Sequence, residues 1–130
     1  MKAVKDVVDQ LGLNNIETIG ERVEDYSKEH ADEFSVVSAR AVASLPALLE
    51  LASPLMKQNA RLILMKSHET EQYDIDRALE ILGLELMTER EYKLSDNETF
   101  RRIYVFEKVK PHGKEIPRRT GLAQKRPLVG

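Results

Sequence analysis

Hydrophobic and polar positions between Phe34 and Lys66 set the frame for the whole chain. Ser35 to Ser38 and Leu62 to Met65 are short, largely apolar runs, whereas Leu45, Leu48, Leu49, Ala52, Leu55 and Met56 recur at helical spacing. The pattern predicts strand, helix, strand. Neither run alternates as a half-solvated strand does, so both faces are expected to be covered, as in neighbouring parallel strands joined by a crossover helix. Arg40 follows the first strand and Lys66 the second. In open α/β sheets the carboxyl ends of the strands border the ligand crevice, so both cations are expected to face one cleft.

The flanks extend the pattern. Val4, Val7, Val8 and Leu11 fall on one helical face, and Gly12 stands where a left-handed cap belongs, which predicts an amino-terminal helix that docks on something. Ile16 to Ile19 alternates like a short strand, and Glu24 to Glu33 reads as polar helix or turn. Ser67 is a candidate cap for a helix whose apolar face is Ile75, Ala78, Leu79 and Leu82, closed by Gly83. Leu84 to Leu94 and Phe100 to Val109 alternate about the polar turn Ser95 to Glu98, the signature of two antiparallel strands. Beyond Pro111 the chain is poor in apolar residues and broken by Gly113, Pro117, Gly121 and Pro127. Ile116, Leu122 and Leu128 suggest that part of this arm packs back on the body. Residues 1–110 thus read as an α/β body and residues 111–130 as a basic arm.

Composition narrows the chemistry. The 130 residues suit one domain, and 42% hydrophobic content can build a core. The absence of cysteine excludes disulfides, thiolate zinc sites and a cysteine nucleophile. No apolar run approaches the roughly 20 residues needed to cross a bilayer, so no membrane partner is expected and the cytoplasm is the expected location. A net charge of -2 conceals an asymmetry: residues 108–130 hold 7 Lys+Arg against 1 Asp+Glu, leaving 13 against 21 in the rest. No glycine-rich turn follows a strand, His30, His68 and His112 lack metal-ligand spacing, and Ser38 and Ser44 lack the glycines of a nucleophile elbow. The cations of the arm, Lys108, Lys110, Lys114, Arg118, Arg119, Lys125 and Arg126, can neutralise phosphates, which points to RNA contact weakened by salt. The alternative is a solubilising extension.

Three blocks carry a family resemblance: SVVSARAVASLPALLELASPLMKQNARLILMKS from Ser35, TFRRIYVFEKVK from Thr99, and IPRRTGLAQKRPLVG from Ile116. They resemble, in order and spacing, the carboxyl-terminal portion of the RsmG family. That family is also called glucose-inhibited division protein B, or GidB, the bacterial 16S ribosomal RNA guanine-N7 methyltransferases. Gly20 to Asp25 is similar to the family's loop after its third strand, with Glu21 and Val23 where glycine and alanine are more usual. The resemblance implies a partial class I, Rossmann-like methyltransferase fold that uses S-adenosyl-L-methionine. The first two strands of that fold and the glycine-rich cofactor loop have no counterpart in this sequence. Activity of this chain alone is therefore expected to be weak or absent, and exposed sheet edges make a homodimer an expectation.

By the same resemblance, Val23, Glu24 and Arg40 would lie at the cofactor, Val23 and Glu24 beside the adenine and Arg40 near the point of methyl transfer. Lys66 and Arg101 would face RNA in the same cleft, with Arg118, Arg119, Lys125 and Arg126 on the arm, against 16S ribosomal RNA in the small subunit. Guanine N7 carries an available lone pair, so alignment suffices and a general base is not required. Plainer readings stand beside these. Arg40 can pair with Glu24 or Asp25, Lys66 can be a solvated surface lysine, and Arg101 or Arg102 can pair across the hairpin with Glu89 or Glu91.

Overall fold

A computed structural model describes residues 2–40, 44–67, 75–96, 100–113, 116 and 118–128. The elements run α1 (Lys2–Gln10), α2 (Val23–Glu29), β1 (Phe34–Arg40), α3 (Leu45–Ala52), a single 3-10 turn at Ser53–Leu55, β2 (Met56–Ser67), α4 (Asp76–Leu82), β3 (Leu84–Lys93), β4 (Phe100–Lys108) and α5 (Leu122–Lys125). The strands form one sheet in the order β1-β2-β4-β3. β1 and β2 pair in parallel, as the crossover through α3 requires, and β4 inserts antiparallel between β2 and β3.

Local chemistry explains where the elements stop. Ser44 caps α3 by accepting from the Ala47 N–H at 3.4 Å, and Pro46 sits in the first turn, where its missing N–H costs nothing. The helix ends at Ala52, earlier than its apolar spacing predicts, because Pro54 cannot continue it and the chain tightens into the 3-10 turn. α4 closes on Gly83 at φ 73, and a Cβ there would stand 2.0 Å from the Lys110 carbonyl oxygen. Only glycine fits that turn. Its carbonyl accepts from the Val109 N–H, tying the end of β4 to the start of β3.

One face of the sheet holds the core. Leu62 and Leu64 of β2, Tyr104 and Phe106 of β4, and Leu84 of β3 pack under Leu45, Leu48, Leu49 and Ala52 of α3, Leu82 of α4, and Ile116 of the arm. Each fully buried leucine contributes about 1.5–3 kcal/mol of transfer free energy. The opposite face carries Val36, Ser38 and Arg40 of β1 in register with Arg61, Ile63 and Met65 of β2, and these in turn with Glu107, Val105 and Ile103 of β4. Val36 is 58% exposed there. The expectation that both faces are covered is thus corrected: burial alternates residue by residue from Ala60 to Lys66 of β2, and one face is open.

Another expectation changes: Ile16 to Ile19 is not a strand; the segment runs without regular structure to α2, and Ile16 is exposed. β2 runs to Ser67, and α4 begins at Asp76 with Ile75 at the cap position. Residues 68–74, where a helix capped by Ser67 would start, lie outside the described residues. In α1 the helix and the left-handed Gly12 are as the pattern predicts, but its stripe faces solvent, with Val4, Val7 and Leu11 all more than half exposed. The hairpin and the inward packing of Ile116 and Leu128 agree with the sequence reading.

Candidate nucleic-acid interface

The carboxyl ends of β1 and β2 bring the predicted cations to one edge of the sheet but not to one face. Arg40 lies opposite Met65 in the β1–β2 register, so it shares the open face with Val36 and Ser38 and is exposed. Lys66 follows the parity of Leu62 and Leu64 and is only 7% exposed on the helix-covered side. The single shared cleft for these two cations is therefore corrected by the two-residue period of the strand. Burial likewise removes the solvated reading of Lys66.

β4 repeats the division. Arg101 has the parity of Ile103 and stands on the same face as Arg40, beside Ser67 in register. Arg102 lies on the other face, directly opposite Glu91, and its guanidinium meets Glu91 at 2.7 Å and Glu89 at 3.1 Å. Bonding to Tyr104 and Glu91 raises its affinity for the proton. Of the two adjacent arginines, Arg102 is the one paired with Glu89 and Glu91, and Arg101 shares the open face with Arg40.

The arm carries the remaining predicted cations. Arg118 donates to both carboxylate oxygens of Glu50, itself 3% exposed, and to the Arg126 carbonyl at 2.7 Å. A buried carboxylate needs this partner, so its charge is already committed. Lys108 is likewise unsuited to phosphate. It is buried and donates to the Ser53 carbonyl at 2.7 Å and Ser53 Oγ at 3.0 Å, with His112 Nδ1 at 3.1 Å. Burial drives its pKa down from 10.5 to about 8, partly offset by Asp32, and burial beside Lys108 also lowers His112. Arg119, Lys125 and Arg126 are exposed. Lys114 lies outside the described residues.

Val23 opens α2, with Arg22 at the cap position. Glu24, next along, is buried, and its Oε2 accepts from the Gly121 N–H at 2.7 Å and from Arg22 at 3.5 Å. Burial alone would raise its pKa, but the Gly121 N–H, its own N–H and Arg22 outweigh burial and hold it below the ordinary carboxylate value. Asp25 accepts from the Thr120 hydroxyl at 2.8 Å and pairs with Lys28 at 3.6 Å. Both carboxylates offered as partners for Arg40 are thus occupied elsewhere. For S-adenosyl-L-methionine the residues present fit only in part. The Glu24 carboxylate is turned into the arm, and the sequence has no glycine-rich turn after a strand. Thr120, Gly121, Arg22 and Glu50 were not distinguished by sequence reasoning; the Thr120-Gly121 pair ahead of an apolar turn was the available signal.

The fold has counterparts among solved structures. The model superposes on a Burkholderia thailandensis 1,6-didemethyltoxoflavin-N1-methyltransferase crystallised with S-adenosylhomocysteine, with a TM-score of 0.58 over 82% of this chain and 56% of that one at 8% identity. It also superposes on the [4+2]-cyclase SpnF, with a TM-score of 0.50 over 86% of this chain and 62% of the other at 10% identity. The architecture is part of the Rossmann-like methyltransferase fold, and since one neighbour is a cyclase, fold alone does not fix the chemistry.

Sequence is more specific. Residues 2–98 match the family model for rRNA small subunit methyltransferase G, GidB, and the chain belongs to that family. It is 37% identical over 128 residues to the ribosomal RNA small subunit methyltransferase G of Thermotoga petrophila, covering 97% of this chain and 56% of the relative. It is 36% identical over 124 residues to that of Lysinibacillus sphaericus, covering 92% and 52%. The chain spans about half the length of the curated relatives it matches.

Proposed function

We propose that this chain carries the RNA-facing half of a methyltransferase that moves a methyl group from S-adenosyl-L-methionine to guanine N7 of 16S ribosomal RNA. The observation that carries the reading is the family match over residues 2–98, joined to the exposed Arg40 at the sheet edge and the exposed Arg119, Lys125 and Arg126 of the arm. The cofactor, where bound, supplies an electrophilic methyl group. The chain's own residues act by position. Arg40 and Arg101, on one face at the sheet edge where β1 and β2 end, suit guanine O6 and phosphate acceptors, which leaves the N7 lone pair free to react. Arg119, Lys125 and Arg126 suit backbone phosphates. With N7 already nucleophilic, holding the base in line is the main contribution required, worth up to about 7–11 kcal/mol in favourable intramolecular cases.

This reading assigns these residues weak methyl transfer by themselves and RNA binding as their separable activity. A filter assay with an unmodified 16S transcript, repeated across salt concentrations, tests the second part. The account expects the logarithm of the affinity to fall linearly with the logarithm of salt, with a slope reduced by about 1 for each of Arg119, Lys125 and Arg126 replaced by glutamine. Binding without salt dependence would contradict it. Transfer of labelled methyl groups to the transcript at a rate matching a full-length relative would contradict the first part, and methylation of another RNA position or of protein would move the substrate.

A further inference from the structure

The arm does more than add charge. Gly121, at φ 85, turns its N–H onto Glu24, and the adjacent Thr120 hydroxyl reaches Asp25, so two successive arm residues grip two successive residues of α2. Arg118, two residues earlier, anchors the same segment to Glu50 of α3. α2 is seven residues long, too short to persist on its own helical propensity, and needs tertiary support. The grip falls on its first turn, next to Val23, and the exposed Arg119 lies inside it.

We propose that Thr120 and Gly121 are positioning residues: the arm sets the amino end of α2, and RNA held by Arg119, Lys125 and Arg126 stabilises that end through them. The RNA-coupled part rests on the function proposed above. Glu24 and Asp25 are then fastenings between arm and body. Coupling of this kind is reciprocal, so whatever orders α2 also orders the arm.

Hydrogen exchange on the full chain tests this, with Thr120→Val to remove the hydroxyl at constant volume and Thr120→Ser to restore it. Without RNA, the α2 amides of Tyr26 to Glu29 are expected to exchange at least tenfold faster in T120V and at the original rate in T120S, while Tyr104 and Phe106 of β4 keep their protection. Equal acceleration in α2 and β4 would mean general destabilisation, and unchanged α2 exchange in T120V would mean no grip; either overturns the proposal. Saturating unmodified 16S transcript is expected to protect α2 in the original chain and in T120S but not in T120V. Protection confined to the arm would overturn the coupling. Failure of the transcript to bind would instead contradict the proposed function, and the RNA-free comparison would still decide whether the arm positions α2.

Discussion

The two faces of the sheet are made by the same strands and have opposite fates. On one, Leu62, Leu64 and Phe106 are fully buried under α3, α4 and the arm; on the other, Val36 and Met65 meet solvent while Ile63, Ile103 and Val105 are half covered. The difference lies in what each strand residue faces, since both faces of β2 are rich in aliphatic side chains. It teaches that the fold's stability is concentrated on the helix-covered side, while the open side carries Arg40 and Arg101 and little of the core.

Substitutions can break that contrast, beginning with the largest effect. Phe106→Ala should cost about 3–5 kcal/mol in chemical denaturation, because its ring is fully buried beside Tyr104, with ring centroids 6.1 Å apart. A cost below about 1 kcal/mol would show that the covered face is not the core. Gly83→Ala should cost at least about 2 kcal/mol, combining a left-handed backbone with a Cβ placed against the Lys110 carbonyl. Val36→Thr on the open face should change stability by less than about 0.5 kcal/mol. A larger loss there would mean that the face is covered in solution.

Acid and base probe the buried amine under the covered face. The folded pKa of Lys108, about 8, lies below its ordinary 10.5, so between these values the unfolded chain binds more protons and stability rises with pH. At about 1.36 kcal/mol per pH unit this gain is bounded near 3 kcal/mol. Lys108→Met should abolish the rise between pH 8 and 10.5 in melts followed by circular dichroism. His112 has the same sign in a lower window. Its folded pKa lies below 6.5, so stability falls as the solution is acidified from 6.5 towards that lower value. His112→Gln should flatten this limb, a smaller effect than that of Lys108.

Much of the fold was legible because its signals are local. The apolar spacing of α3 and α4, the glycine after α4 and the alternation of β3 and β4 each predict their element within a few residues. Two kinds of error came from non-local facts. β2 reads as a four-residue apolar core yet extends from Met56 to Ser67, because Asn59 takes a left-handed conformation at φ 67 and the ladder resumes beyond it. The faces of Arg40 and Lys66 depend on the register between two strands, which neither run shows by itself. In the site, net charge pointed to the arm but could not tell Arg118, paired with Glu50, from Arg119, which is exposed. Such pairing is decided by residues 68 positions apart in the chain.

The proposed division, RNA binding by these residues and little cofactor binding by them alone, meets its most direct test in a calorimetric titration of S-adenosyl-L-methionine into the folded 130-residue chain. The account predicts no measurable heat at ligand concentrations up to the millimolar range. Stoichiometric binding with micromolar affinity would contradict it, placing a complete cofactor site within these residues.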